Sequence, residues 1–107
     1  MDLICRVTVS QGGPVVSLSG ELDLSSAPAL RNALVEAVAD HRGGTVVVDL
    51  DGVTALDDVG LGVLLGAAGR AREAGGDVVL VASADRLRAR FDLTGLSRAI
   101  EVRSRLG

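Results

Sequence analysis

Two short runs of β-branched and aliphatic residues, TVVVDL at 45–50 and DVVLVA at 77–82, stand on either side of one helical stretch, and that arrangement constrains the chain more than any other feature. Each run is too short for a helix and nearly unbroken in its apolar character, as expected of a strand covered on both faces. Strand, helix and strand in succession form a crossover with the two strands parallel. The intervening helix is read over roughly 59–74.

The remaining segments extend that unit. Residues 3–10 alternate, with Cys5, Val7 and Val9 on one face and Arg6, Thr8 and Ser10 on the other, the period-2 mark of a half-covered strand. Gln11-Gly12-Gly13 turns the chain into a second strand over 14–20, and the two make an antiparallel hairpin. Ser25 or Ser26 is placed to cap a following helix, with Pro28 in its first turn and Leu30, Ala33, Leu34, Ala37 and Val38 along one stripe. His41-Arg42-Gly43-Gly44 ends it, with His41 read as a solvated or capping residue. A short helix begins near Ala84, with Leu87 and Phe91 one turn apart, and a last strand is expected over 99–103.

A length of 107 residues with 48% apolar content supports one hydrophobic core, so 1–107 reads as a single domain. No cationic and apolar leader opens the chain, and no apolar segment approaches the roughly 20 residues that cross a bilayer, which points to a cytoplasmic protein without direct membrane insertion. Cys5 is read as a buried strand residue rather than a redox or metal group. The net charge of −3 is unevenly spread: residues 1–80 hold 5 arginines against 11 acids, and residues 81–107 hold 6 against 3. With an acidic balance and Phe91 as its one aromatic residue, the chain lacks what a nucleic-acid binder needs. Arg86, Arg88, Arg90, Arg98, Arg103 and Arg105 read as solvated faces, with a basic patch for a partner as the sharper alternative.

The helix after the first apolar run opens on two adjacent carboxylates, Asp57 and Asp58, and carries Gly60, Gly62, Gly66 and Gly69. Each interior glycine costs roughly 1 kcal/mol relative to alanine, so something must offset them. Leu61, Leu64, Leu65 and Ala68 supply the core stripe. Close packing against the sheet or a neighbouring helix explains the glycines, and a smooth surface for a partner is the alternative. One aspartate at the mouth is favoured by capping and by the helix dipole, and the second is either a spare surface acid or functional. Bond-making chemistry has little support: there is one histidine, no lysine, no phosphate-binding loop and no nucleophile–base set. The absence of lysine argues against a phosphoaspartate receiver and a Walker-type nucleotide site. Asp49, Asp51, Asp57 and Asp58 do not resemble an organised Mg²⁺ cage, so no metal or cofactor is expected.

Three ordered motifs nevertheless carry a resemblance: Gly20-Glu21-Leu22-Asp23, then Asp49-Leu50, Gly52-Val53, Leu56-Asp57 and Gly60-Leu61-Gly62-Val63-Leu64, then Phe91-Asp92-Leu93-Thr94-Gly95-Leu96. Along nearly its whole length the chain resembles the STAS domain of bacterial anti-sigma-factor antagonists. The resemblance implies a small α/β domain, a mixed sheet of about five strands with helices packed mainly on one face. It also implies a non-enzymatic switch that binds a kinase-like, ATP-binding anti-sigma factor and so releases a sigma factor for transcription. Asp23, Asp57, Asp58, Val59, Gly60 and Leu61 fall at the partner-binding positions.

In that family an Asp is followed by a phosphorylated Ser or Thr, usually a Ser, and a Gly; here the stretch reads Asp57-Asp58-Val59-Gly60. Asp58 therefore occupies the hydroxyl position as a phosphomimetic that takes no phosphate. A phosphate brings about −1.5 to −2 charges and three acceptor oxygens, whereas a carboxylate brings one charge and two. The protein is then held in a weak-binding form, has a partner adapted to the fixed charge, or serves another assembly; the second fits a free-standing domain best. The rival reading is a STAS subunit of a membrane lipid-transporter complex, packed on its ATPase. A small-ligand sensor has little support from so aromatic-poor a chain. Self-association stays open.

Overall fold

The two apolar runs lie at the centre of a five-stranded sheet whose strands hydrogen-bond in chain order: β1 (Ile4–Ser10), β2 (Gly13–Leu22), β3 (Thr45–Leu56), β4 (Asp77–Val81) and β5 (Glu101–Arg103). The structure, a computed structural model, describes residues 3–10 and 12–105. β1 and β2 form the expected antiparallel hairpin; Gln11 of its turn and the side chain of Ser10 lie outside what is described. The other three pairings are parallel, and each needs a crossover. Those are supplied by α1 (Ala27–Asp40), by α2 (Asp58–Glu73) and by the pair α3 (Asp85–Thr94) and α4 (Leu96–Ala99).

Alternating burial along β2 and β3 shows one sheet face covered and the other open, the layering the resemblance implies. Val16, Leu18, Val46, Val48 and Leu80 on the covered face meet Leu30, Leu34 and Val38 of α1, Leu61, Leu64 and Ala68 of α2, and Leu87 and Phe91 of α3 in one core.

Several sequence-based expectations give way here. β3 is not covered on both faces: Val47 and Asp49 are half-exposed because the helices lie over the other side, and the strand runs on to Leu56. β4 does have Val78 to Val81 all buried, as its apolar run predicts. Val7 and Val9 are 49% and 65% exposed, because β1 is the edge strand. Cys5 is only half-buried, and that burial raises its thiol pKa, so less reactive thiolate forms. Leu65 is 42% exposed and leaves the α2 core stripe to Leu61, Leu64, Ala67, Ala68 and Ala71. α4 takes up the segment before Glu101, which shortens the last strand.

The register between β2 and β3 sets where the two strands end. It shifts between Ser17 and Ser19 and again between Gly20 and Glu21, and pairing then continues to Leu22 opposite Leu56. A Cβ on Gly52 would stand 2.7 Å from the Leu18 carbonyl oxygen, so only glycine lets the two backbones approach this closely. Two parallel strands ending side by side deliver the β2–α1 loop and the β3–α2 turn to the same edge of the sheet.

Candidate functional site

The Asp57 amide donates to the Leu22 carbonyl at 3.0 Å, which joins the start of α2 to the end of β2. The Asp57 side chain then accepts from the amides of Val59 at 3.0 Å and Gly60 at 3.2 Å, satisfying two of the helix's otherwise unpaired donors. Gly60 is glycine for a steric reason: a Cβ there would lie 2.9 Å from Leu56 Cδ1 and 3.0 Å from Leu22 Cβ. The mouth of α2 therefore sits directly on the exits of both strands.

Asp23, in the adjacent loop, accepts from the Ser25 hydroxyl at 2.7 Å and from the Ser26 amide at 3.0 Å. The Ser25 hydroxyl first, and then the Ser26 amide, hold its carboxyl below the ordinary value of 3.8. Ser26 occupies the N-cap position of α1 without capping it. Its buried hydroxyl instead donates to the Glu21 carbonyl at 2.7 Å and accepts from the Asp23 amide at 3.0 Å, so it closes the loop rather than the helix.

Of the residues expected at the site, Asp58 is the most prominent: it is the first residue of α2 and its side chain is 89% exposed. Val59 is exposed beside it. Gly60 and Leu61 are buried, Leu61 at 6% exposure, and support the surface from beneath. Asp57 is half-exposed and committed to its cap, and Asp23 is half-exposed and committed to its loop.

Arg90, read from the sequence only as one of six late arginines, lies beside Asp58 at this site. Its guanidinium donates to Asp58 Oδ1 at 3.0 Å. Arg86, one turn earlier on α3, donates to the Val53 carbonyl at 3.1 Å. The signal was an i, i+4 arginine pair flanking the buried Leu87 and Phe91, but nothing local says where that flank lies. With Arg88 paired to Asp85 and Arg103 to Glu101, four of the six late arginines have partners within the chain, one of them a neutral carbonyl. Leu24 and Leu93 are exposed apolar residues of the β2–α1 loop and α3, and Leu93 borders a shallow groove with Leu56 and Arg90.

The other acids are tied up separately. Asp49 accepts from the Asp51 amide, and Asp51 from the Ser83 amide and hydroxyl. Among the described residues no three His, Cys, Asp or Glu side chains converge on a common point. What the mouth of α2 offers is an exposed charge pair beside apolar side chains, a chemistry of contact.

Comparison with known proteins bears on the family and the fold. The model of a family described as "Mlab, STAS domain" matches residues 5–103. The anti-sigma-B factor antagonist of Listeria monocytogenes is 36% identical over 89 residues, which is 83% of this chain and 77% of that protein. That of Bacillus subtilis is 34% identical over 102 residues, 95% of this chain and 92% of that one. The crystal structure of an anti-sigma factor antagonist from Mycobacterium paratuberculosis superposes with a TM-score of 0.87 at 34% identity, covering 97% of this chain and 87% of that one.

Proposed function

The chain belongs to the STAS-domain family, and from that premise we propose that it is an anti-sigma factor antagonist: a non-enzymatic regulator that docks on a kinase-like, ATP-binding anti-sigma factor through the mouth of α2. The observation that carries this reading is Asp58, exposed at the first turn of a helix seated on the exits of β2 and β3, in a chain whose relatives are named as antagonists. Asp23 and Asp57 shape the docking surface by ordering its two loops, while Asp58 and Val59 meet the partner and Gly60 and Leu61 hold the helix in place. Asp58 stands where the family carries a phosphorylated hydroxyl, so this protein receives no phosphate there. Its charge is permanent, and the partner is one adapted to it.

A pull-down against the kinase-like anti-sigma factors of the source genome tests the proposal, using wild type, Asp58→Ser and Asp58→Ala. Wild type is expected to capture one of them; no capture by any of the three proteins would refute the reading. Incubated with ATP and the captured kinase, Asp58→Ser should take up phosphate and wild type should not. Labelling of wild type, at Thr54 or elsewhere, would contradict a fixed state. Capture of a transporter ATPase instead would place the domain in a lipid-transport assembly.

A further inference from the structure

The fixed charge at the mouth of α2 is not bare. Arg90, 32 residues further along the chain, brings its guanidinium to 3.0 Å from Asp58 Oδ1. Arg90 is less exposed than Asp58: its side chain is 38% exposed against 89%, and its Nε atom is buried without a hydrogen-bond partner. The helix that carries it is fixed by Leu87 and Phe91 in the core and by the bond from Arg86 to Val53. The counter-charge is thus delivered by a docked helix rather than by a loose side chain.

Exposed ion pairs contribute little to folding, so stability is not what this contact chiefly serves. Docking changes that balance. When a partner covers the surface and displaces water, a lone carboxylate loses its solvation without compensation, whereas a carboxylate already paired with a guanidinium keeps its partner in a medium that strengthens the attraction. Truncating one member of a covered charge pair is penalised mainly through the charge left behind.

Resting on the reading of the α2 mouth as the docking surface, we infer that Arg90 is a specificity-determining residue of that surface, the counter-ion that lets an anti-sigma factor accept a carboxylate at position 58. α3 thereby joins α2 and the β2–α1 loop in recognition. Arg90 is effective only while residue 58 is charged, a conditional role that a purely structural residue would not have.

The test is a double-mutant cycle on affinity for the anti-sigma factor that wild type captures, with Asp58→Asn, Arg90→Gln and Arg90→Lys each made alone and Arg90→Gln also combined with Asp58→Asn. Arg90→Gln is expected to weaken binding roughly tenfold or more, with its melting temperature close to wild type. Arg90→Lys, which keeps the charge and a donor, should stay within about threefold of wild type. In the Asp58→Asn background, Arg90→Gln should change binding by less than about twofold. Wild-type affinity in Arg90→Gln would overturn the inference, as would an equal loss in the Asp58→Asn background, which would mean that Arg90 acts on the partner by itself. Wild type that captures no anti-sigma factor would remove the docking reading together with this inference; capture with Arg90 indifferent would remove the inference alone.

Discussion

The first turn of α2 and the outward face of the same helix both carry glycine, for different reasons. At the first turn Gly60 is closely packed, because a Cβ there would press on Leu22 and Leu56 and force them to shift. On the outward face, a Cβ at Gly62 or Gly69 would meet nothing within 4 Å, and at Gly66 only the Arg70 side chain at 3.6 Å. The expectation that close packing explains these glycines therefore holds for Gly60 and fails for the other three. Among the described residues, no close backbone approach requires glycine at these three positions. Within one helix, then, glycine marks a close approach in one place and an unfilled surface in another, and the residue type alone does not separate the two.

Substitutions in α2 can break or sharpen this comparison. Asp57→Ala removes both cap bonds and a favourable charge at the positive end of the dipole, and should lower unfolding free energy by about 1–2 kcal/mol in urea denaturation. A neutral result would show that the mouth of α2 is ordered without its cap. Gly60→Ala combines about 1–3 kcal/mol of overpacking with about 1 kcal/mol of regained helix propensity, for a net loss on the order of 1 kcal/mol. Gly62→Ala and Gly69→Ala should each raise stability by about 0.5–1 kcal/mol, visible as a higher denaturation midpoint at unchanged slope. Destabilisation at either position would mean that the outward face is not open.

The smallest expected effect is the acid dependence of the neighbouring loop. Hydrogen bonds from Ser25 and Ser26 lower the Asp23 pKa in the folded chain, so the unfolded chain binds the proton more readily near the ordinary value. The stabilisation is therefore complete above 3.8 and is lost as pH falls from there through the folded value. Against Asp23→Asn, wild type should keep a constant advantage at neutral pH that closes below 3.8 in acid titrations followed by circular dichroism. A gap that widens in acid would show that the carboxylate is not held by these donors.

Much of this molecule is legible in local pattern. The hairpin follows from alternation and a glycine turn, α1 from a 3.6-residue stripe, and the crossovers from apolar runs of strand length separated by helices. The two aspartates ahead of a helix announce a cap and an extra acid, and the motifs around them carry the family resemblance. What pattern does not show is where surplus groups go. Ser26 has the chemistry of a cap and closes a loop instead, because Glu21 and Asp23 present backbone partners to its hydroxyl. β3 looks doubly buried and is not, because apolar content does not report which sheet face receives the helices.

The sequence by itself determined the α/β class, the order of the strands and of the first three helices, the family and an acid in place of a hydroxyl at position 58, since each depends on residue type and spacing along the chain. Tertiary structure alone decided that Gly60 is compressed while Gly62 and Gly69 are free, and that Asp58 faces solvent with Arg90 against it. Those facts depend on which distant segments the core brings together: burial of Leu87 and Phe91 positions α3, and α3 carries Arg90 to the mouth of α2.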